Sequence, residues 1–440
     1  MGLFFGTDGL RGKVNDDLSA GVCYKCGNAL GVKYPNSKIV LGRDTRGSCD
    51  FVALAFAVGA MDAGLDVVDV GVCPTAGISF LTQKLGFDFG VVVSASHNPA
   101  EFNGIKIFDK NGKKLGDKRE EEIEKLFLKS RSVNYASVGH YEFAPRKVLY
   151  YQEFLSGGLN CDLSGLKIVL DCSNGASFKI APAVFRSAGA KVVALNCKPN
   201  GQNINKNCGS LHIKTLQKNV IKHKADMGFA FDGDADRVIA VDENGDVVDG
   251  DKIIYLLALH YQKLGMLNPA VVVGTRHTNM GVEKALNAHG IELLRTDIGD
   301  KYVGAKLDER CLLIGGEQSG HVFVKDRHVT GDGILNALLI AQICKTNHKK
   351  LSAYFDFEAY HQSNINVEVK DKMKIINSQK LAEAEDVEIK NLAGCGRIMI
   401  RVSGTEPFIR IMVETTNKTL SEEISRRLEN VIKEINKESV

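Results

Sequence analysis

Several features that mark specialised protein classes are absent from this 440-residue chain. No apolar stretch reaches the roughly eighteen residues that a membrane-spanning helix needs. The net charge of +3 is too small for the chain's length to indicate a nucleic acid or an anionic membrane as the main partner. We therefore expect neither partner, and a local basic site for a phosphorylated small molecule stays open.

The eleven cysteines do not form the pattern of a disulfide framework. Many lie inside apolar runs, and the opening segment lacks the features of a signal peptide. Cys23 and Cys26 form a CxxC, but no second pair stands at zinc-finger spacing, so a helix face is favoured over a zinc site. We expect reduced thiols and a cytoplasmic location.

Motifs of three large enzyme classes are also missing. The chain contains no GxxxxGK[ST], no GxGxxG and no GxSxG. These absences argue against a P-loop, a dinucleotide-binding fold and a serine hydrolase, respectively.

A strand-helix pattern occurs three times along the chain. Each copy reads β-α-β-α-β, and alternating strands and helices predict parallel sheets covered on both faces, with right-handed connections. The first strands are 38–41, 167–170 and 271–273; the second follow Gly64, Gly189 and Gly290; the third are 91–93, 227–231 and 311–314.

The C-terminal part has a different pattern, with strand-like runs at 364–370, 397–404 and 408–415 before a charged amphipathic helix from Leu420. We therefore predict an α/β protein with three consecutive similar βαβαβ domains, mixed or parallel sheets around a central cleft, and a smaller C-terminal α+β domain. The predicted domains are 1–148, 149–248, 249–360 and 361–440, with a hinge near Tyr360–Asn364.

Polar residues follow the third strand of each copy. In the first copy SASHNP places the Ser96 hydroxyl at the carboxyl edge of a sheet, where α/β enzymes place their chemistry. Taken alone, Ser96 or Asn98 fits the N-cap of a helix as well. The other copies end in DGDADR (232–237) and GGEQSGH (315–321). Three such loops at corresponding places predict one composite site in which Ser96 reacts.

Three carboxylates alternate in the second of these loops. Asp232, Asp234 and Asp236 would point the same way along an extended segment, and such close like charges repel unless a cation lies between them. Oxygen ligands favour a hard divalent ion, with Mg²⁺ the default. A solvated acidic loop or an EF-hand fragment is the alternative. A hydroxyl beside a Mg²⁺ site indicates phosphoryl transfer.

The C-terminal part contains RVSGTEP (401–407), with Arg410 soon after. This loop offers a guanidinium, two hydroxyls and backbone N–H groups around a glycine, a set that can hold a phosphate dianion. A β-turn with a surface arginine would explain the loop if it stood alone.

Taken together, these motifs resemble the α-D-phosphohexomutases in order and spacing over nearly the whole chain. The matching segments are FGTDGLRG (5–12), SASHNP (94–99), NGIK (103–106), DGDADR, GEQSGH and RVSGTEP. The motifs FGTDGLRG, GEQSGH and SGTEP are similar to those of the phosphoglucosamine mutase branch of that family.

The resemblance implies a reversible isomerase that converts glucosamine 6-phosphate to glucosamine 1-phosphate on the way to UDP-N-acetylglucosamine. Ser96 would carry a phosphoryl group and, with Asp232, Asp234 and Asp236, would hold one Mg²⁺ per chain. A glucosamine or glucose 1,6-bisphosphate would be the intermediate and activator.

The resemblance also implies roles for further residues. Arg11, Lys106 and Arg237 would stabilise the transferring phosphoryl group, and Lys106 and His97, followed by His321, are the candidates for proton transfer. Glu317 and Ser319 would bind sugar hydroxyls. The phosphate that is not reacting would be held by the C-terminal loop residues Arg401, Ser403, Gly404, Thr405 and Arg410.

Three other functions stay open from the sequence. A phosphomannomutase/phosphoglucomutase would share the chemistry, a metal-dependent sugar phosphatase would release phosphate to water, and a binding protein would not catalyse at all. The expected partner in each case is a small sugar phosphate. The sequence predicts no oligomeric state beyond a monomer or homodimer.

Overall fold

The computed structural model describes residues 5–6, 9–127, 129, 132–134, 137–158, 162–403 and 407–438. They form two compact units. The first comprises residues up to His277 together with Gly290–Phe355, and the second comprises Thr278–His289 and the chain from Asp356 onward. Among the described residues, no helix combines the length and apolar character needed to cross a bilayer.

The first repeat forms a seven-stranded mixed sheet. Its elements are β1 (Phe5–Gly6), β2 (Gly9–Lys13), α1 (Ala20–Lys33), β3 (Lys38–Arg43), α2 (Cys49–Asp62), β4 (Asp66–Val72), α3 (Thr75–Lys84), β5 (Phe89–Val93), β6 (Phe102–Asp109), α4 (Asp117–Glu124) and β7 (Tyr141–Phe143). Every residue of β5 is buried, as expected for a Val-rich strand covered on both faces. A 3₁₀ turn, Pro145–Lys147, then leads into α5 (Val148–Gly157).

The second repeat forms a five-stranded sheet. Its elements are β8 (Lys167–Asp171), α6 (Ser177–Ser187), β9 (Lys191–Leu195), α7 (Lys214–His223), β10 (Met227–Phe231), β11 (Val238–Asp242) and β12 (Val247–Val248).

The third repeat forms a four-stranded sheet. Helix α8 (Gly250–Lys263) precedes it, and the following elements are β13 (Val271–Thr275), α9 (Met280–Ala288), β14 (Glu292–Thr296), α10 (Asp300–Arg310), β15 (Ile314–Gly316), β16 (Val322–Val324) and α11 (Gly333–Thr346). Although α9 lies within this repeat in sequence, it belongs to the second unit.

All three repeats share one strand order. The first strand pairs in parallel with the second and the third. The sequence predicts the parallel pairing, and the structure places the first strand in the middle. The third strand then turns back into an antiparallel fourth strand, which makes each sheet mixed. Each predicted polar loop is therefore the connection between a buried parallel strand and its antiparallel neighbour.

The second unit contains a three-stranded antiparallel sheet in the order β17-β19-β18. After the 3₁₀ turn Ser352–Tyr354, its elements are β17 (His361–Glu368), α12 (Lys372–Ile376), α13 (Gln379–Leu392), β18 (Gly396–Val402), β19 (Phe408–Thr415) and α14 (Lys418–Glu438). Helix α14 buries Ile424, Leu428, Ile432 and Ile435 at helical spacing. Each such side chain contributes about 1.5–3 kcal/mol of burial free energy.

One local prediction was wrong in its boundary. The third strand of the third repeat begins at Ile314, not Cys311, because Cys311 ends α10 in a left-handed conformation with φ +53°. Most of the segment predicted as a hinge, Tyr360–Asn364, belongs to β17, and the hinge itself stays a prediction.

The cysteines agree with the expectation of reduced thiols. Cys23 and Cys26 lie on α1 and are fully buried, which confirms the helix-face interpretation. Every cysteine within the described part of the chain has a free thiol.

Candidate active site

The serine loop leaves the end of β5 in a constrained conformation. Ser96 has φ +50°, in the left-handed region that most residues avoid. Its N–H donates to Ser94 Oγ at 2.8 Å, and Ser94 Oγ in turn donates to Asp44 Oδ2 at 2.6 Å. These short links hold Ser96 in its unusual conformation at the edge of the sheet.

Arg46 and Asn205 fix the carbonyl groups of the same loop. The Arg46 guanidinium donates to the carbonyl oxygens of Ser96 and Asn98, both at 2.8 Å. Asn205 Nδ2 donates to the same two oxygens at 2.8 and 3.0 Å. Arg46 is itself buried in a 2.9 Å ion pair with Asp44. Sequence reasoning missed this support, although Asp44 and Arg46 directly follow β3 at the expected edge.

The DGDADR loop brings its first carboxylate to the serine. Ser96 Oγ donates to Asp232 Oδ2 at 2.6 Å. The two loops touch through backbone, because a Cβ at Gly233 would lie 2.5 Å from the Ser96 carbonyl oxygen. Ala235 turns this loop with φ +58°. The predicted meeting of the first two polar loops is therefore present.

Asp232, Asp234 and Asp236 form an acidic triad that could hold a metal ion. One carboxylate oxygen from each lies within 4.8 Å of the others, and all three side chains are buried. Oδ1 of Asp234 and Oδ1 of Asp236 are buried without a hydrogen-bond donor among the described residues. Buried oxygens of this kind suit a hard divalent cation.

The charges of the acidic triad are unequally compensated. Burial and repulsion from Asp236 and Asp234 raise the pKa of Asp232 well above its usual range. Burial acts in the same direction on Asp236, but Lys106 and His321 lower the pKa of that carboxyl well below its usual range. A cation at the triad would remove the repulsion that Asp232 experiences.

Lys106 and Thr75 contact the triad from the first repeat. Lys106 Nζ donates to Asp234 Oδ2 at 2.9 Å and to Asp236 Oδ2 at 3.3 Å. Thr75 Oγ1 donates to Asp234 Oδ2 at 2.6 Å. Lys106 lies on β6, a strand that the repeat pattern did not predict, and Thr75 begins α3.

His97 lies beside the serine and near two arginines. Its Nδ1 is 3.5 Å from Ser96 Oγ. Burial, together with the positive charges of Arg237 and Arg11, lowers the pKa of His97 to about 4. The predicted residues Arg11, His97 and Arg237 therefore lie in one electrostatic environment, in which the imidazole is neutral near pH 7.

The third polar loop contributes two of its three predicted residues to this region. His321 Nδ1 is 3.6 Å from Asp236 Oδ1. Burial alone would lower the pKa of His321, but Asp236 and Asp300 raise it. Glu317 Oε1 accepts the N–H of Gly299 at 3.0 Å.

Burial raises the pKa of Glu317, and the positive charge of Arg237 opposes that shift. Ser319, the third residue predicted from this loop, is exposed at the turn.

The second unit places Arg401 and Arg410 directly opposite each other on β18 and β19. Burial and the charge of Arg410 lower the pKa of Arg401. Arg410 donates to Ser403 Oγ at 3.4 Å, and Lys372 Nζ, which sequence reasoning missed, donates to the Ser403 carbonyl oxygen at 2.8 Å. Gly404 and Thr405 lie outside the described residues.

Comparison with protein families finds four matches along the chain. The alpha/beta/alpha domains I, II and III of phosphoglucomutase/phosphomannomutase match residues 2–134, 150–245 and 249–360, and the C-terminal domain of the same family matches residues 365–431.

Individual proteins match over almost the full length. The phosphoglucosamine mutase of Pelotomaculum thermopropionicum is 44% identical, over 99% of this chain and 100% of the relative. The phosphoglucosamine mutase of Clostridioides difficile is 41% identical, over 99% of both chains.

Solved structures share the fold. A phosphoglucomutase/phosphomannomutase family protein from Burkholderia thailandensis has a TM-score of 0.83 at 25% identity, covering 98% of this chain and 97% of its own. An N-acetylphosphoglucosamine mutase from Aspergillus fumigatus has a TM-score of 0.70 at 18% identity, covering 99% and 96%. With four family domains matched in order and full-length relatives above 40% identity, the chain belongs to the phosphoglucomutase/phosphomannomutase family, and the two full-length relatives named above are phosphoglucosamine mutases.

Proposed function

We propose that this chain is a phosphoglucosamine mutase, an isomerase that interconverts glucosamine 6-phosphate and glucosamine 1-phosphate. The observation that carries the proposal is the 2.6 Å hydrogen bond from Ser96 Oγ to Asp232 within a buried acidic triad. A hydroxyl at a divalent cation site is the arrangement that phosphoryl transfer requires. The full-length relatives of the same name supply the choice of sugar.

The proposed cofactor is one Mg²⁺ per chain, held by Asp232, Asp234, Asp236 and the phosphorylated Ser96. When bound, the ion would neutralise charge on the transferring phosphoryl oxygens. The Aspergillus fumigatus protein was solved in complex with GlcNAc-6P and magnesium. At 18% identity that likeness shows the fold alone, so the case for Mg²⁺ here rests on the triad's buried oxygens.

In the proposed cycle the bond between Ser96 Oγ and phosphorus breaks as the free hydroxyl of the sugar phosphate attacks. The hydroxyl gives up its proton as it attacks, and Ser96 Oγ takes up a proton as it leaves, so the step balances. We assign the proton transfer at Ser96 to His97, whose Nδ1 lies 3.5 Å from Ser96 Oγ. Lys106 instead lies against two carboxylates and would act as a fixed cation. Arg11 and Arg237 would add positive charge around the same group.

The product of this step is a bound 1,6-bisphosphate, which must reorient so that its other phosphoryl group returns to Ser96. Glu317, Ser319 and His321 would bind sugar hydroxyls in either orientation. The distal phosphate would be held by the C-terminal loop residues Arg401, Ser403, Gly404, Thr405 and Arg410.

The cellular setting and domain boundaries are part of the same proposal. We place the reaction in the cytoplasm, on the route to UDP-N-acetylglucosamine, because the described cysteines all have free thiols. The boundaries at residues 148, 248 and 360 stay predictions, as does the choice between monomer and homodimer.

The deciding experiment is an assay with Mg²⁺ and a trace of sugar 1,6-bisphosphate on wild type and Ser96→Ala. We expect turnover of glucosamine 6-phosphate to exceed that of glucose and mannose phosphates, and to be lost in the variant. Equal turnover of the neutral sugars would indicate a phosphomannomutase/phosphoglucomutase, and phosphate release without an isomer would indicate a phosphatase. Full activity of Ser96→Ala would contradict the mechanism.

A further inference from the structure

The segment Gly331–Gly333 lies directly behind the acidic triad in the first unit. The Gly333 N–H donates to the carbonyl oxygen of Ala235 at 3.0 Å, and Ala235 stands between two of the triad's aspartates. A Cβ at Gly333 would lie 2.4 Å from the Arg237 carbonyl oxygen and 3.0 Å from that of Ala235. The segment and the metal loop are therefore in direct backbone contact, with no room for a side chain between them.

The same segment also supports His321. A Cβ at Gly331 would lie 2.4 Å from His321 Nε2. The other ring nitrogen of His321 is 3.6 Å from Asp236 Oδ1. A displacement of this segment would thus reach the triad by two routes, through the backbone at Ala235 and through the His321 ring.

Asp332, in the middle of the segment, is anchored from two directions. Its Oδ1 accepts the N–H of Leu335 at 3.0 Å and so caps the N-terminus of α11. Both carboxylate oxygens accept the hydroxyl of Tyr151 at 2.9 Å, and His328 Nδ1 is 3.3 Å from Oδ2. Asp332 and Tyr151 are fully buried. A buried carboxylate that lost such a donor would be strongly destabilised, so this hydrogen bond fixes the segment.

We propose that Tyr151 and Asp332 are positioning residues for the metal site. Their hydrogen bond holds Gly331–Gly333 in place, and the segment in turn holds the backbone of the metal loop. Neither residue belongs to the triad, and Tyr151 comes from α5, which precedes the second repeat in the chain. The inference rests on the proposed metal site and adds the residues that set its geometry. Such supporting residues typically tune metal affinity by about 10–100-fold.

The test is calorimetric titration of Mg²⁺ into the full-length wild type and Tyr151→Phe, with steady-state kinetics on the same samples. Tyr151→Phe removes only the hydroxyl that donates to Asp332. We expect its Mg²⁺ affinity to fall about 10-fold, and the Mg²⁺ concentration for half-maximal activity to rise by the same factor. The KM for glucosamine 6-phosphate should stay within about twofold of wild type, because the sugar-binding residues keep their places.

A second buried tyrosine provides a matched control. Tyr261 is buried like Tyr151 and donates its hydroxyl to Asp326 at 2.9 and 3.0 Å. Asp326 is exposed and lies at the opposite end from Asp332 of the loop that joins β16 to α11. Tyr261→Phe likewise removes one tyrosine–aspartate hydrogen bond and should keep wild-type Mg²⁺ affinity. Equal loss of affinity in both variants, or unchanged affinity in Tyr151→Phe, would overturn the positioning role.

Two further variants approach the same question without removing the tyrosine. Asp332→Asn keeps an oxygen for the helix cap but loses the anionic acceptor. Gly333→Ala pushes against the Arg237 carbonyl oxygen and, less closely, against that of Ala235. Both should weaken Mg²⁺ binding, and wild-type affinity in both would contradict the proposal. If wild type itself binds no Mg²⁺, the proposed metal site fails and this inference fails with it; a wild type that binds, with all variants unchanged, overturns only the inference.

Discussion

The acidic triad of the first unit and the arginine pair of the second, Arg401 and Arg410, both place like charges side by side, but they compensate them differently. The triad is buried, and Lys106 Nζ lies 2.9 and 3.3 Å from two of its carboxylates. The arginines are half-buried and face each other across neighbouring strands. Water screens the second pair far more than the first.

This difference separates a fixed site from an adaptable one. Buried carboxylates must be held by the fold, because an unsupported buried charge costs several kcal/mol. Water weakens the repulsion between half-buried guanidiniums, and an anion that binds between them stabilises both charges. The triad is therefore suited to a resident cation, and the arginine pair is suited to a ligand that binds and leaves.

We expect the largest effect from removing a buried carboxylate of the acidic triad. In Asp232→Ala the triad loses the carboxylate that accepts the Ser96 hydroxyl. Loss of metal stabilisation of several kcal/mol predicts a fall in kcat on the order of 10³-fold. Steady-state kinetics with a Mg²⁺ titration would measure it. Activity restored to wild-type level by excess Mg²⁺ would show that this carboxylate affects only affinity.

A somewhat smaller effect is expected from a substitution of Arg46, which supports the serine loop without contacting the triad. Arg46→Lys keeps the charge but cannot reproduce the guanidinium contacts to the carbonyl oxygens of Ser96 and Asn98. A misplaced nucleophile predicts a loss in kcat of about 10²-fold with little change in KM. Single-turnover transfer from phosphorylated enzyme would measure the chemical step. A change confined to KM would contradict this positioning role.

For the arginine pair, we expect a change in substrate binding and not in the rate of the chemical step. Arg401→Ala would remove the proposed charged hydrogen bond to phosphate, worth about 2 kcal/mol, and we therefore expect a KM for glucosamine 6-phosphate about 30-fold higher. Mg²⁺ affinity should not change. Arg427→Ala, which removes a guanidinium elsewhere in the same unit, is the control and should leave the KM as it is.

The smallest effect is expected for a partly exposed ion pair of the second unit. Arg427 forms a bidentate ion pair with Glu388, in which Nε donates to Oε1 at 2.6 Å and Nη2 donates to Oε2 at 2.9 Å. The hydrogen bond from Arg427 lowers the pKa of Glu388 below its ordinary value of 4.5. The pair therefore adds stability above pH 4.5, and this stability is lost as the pH falls through the lowered value.

Because Arg427 is about half exposed, we expect Arg427→Ala to cost only about 0.5–1 kcal/mol at pH 7 and less at pH 4. Urea unfolding of the full chain at both pH values would measure this difference. A cost that is the same at pH 7 and pH 4 would show that Arg427 stabilises the unit through packing and not through its charge.

Local spacing in the sequence was sufficient to predict the repeats and the polar groups that meet at the candidate site. The Val-rich run before Ser96 and the alternation of Asp232, Asp234 and Asp236 are short-range patterns. In the structure Ser96 donates a hydrogen bond to Asp232, and one oxygen of each aspartate lies within 4.8 Å of the others. The parallel pairing of the first three strands in each repeat also follows from alternating strands and helices, but their order in the sheet does not. Composition further excluded a membrane helix, and the described residues contain none.

Only the tertiary structure decided which residues support that site. Asn205 and Ser96 are 109 positions apart, and Tyr151 and Asp332 are 181 apart, yet each pair is in direct contact. No periodicity encodes such pairs, because they form where separate repeats pack against each other. The antiparallel fourth strands, one of which carries Lys106, also depend on sheet pairing that a local pattern does not specify. The sequence by itself determined which polar groups follow the buried strands, and the packing of the repeats determined how those groups are held together.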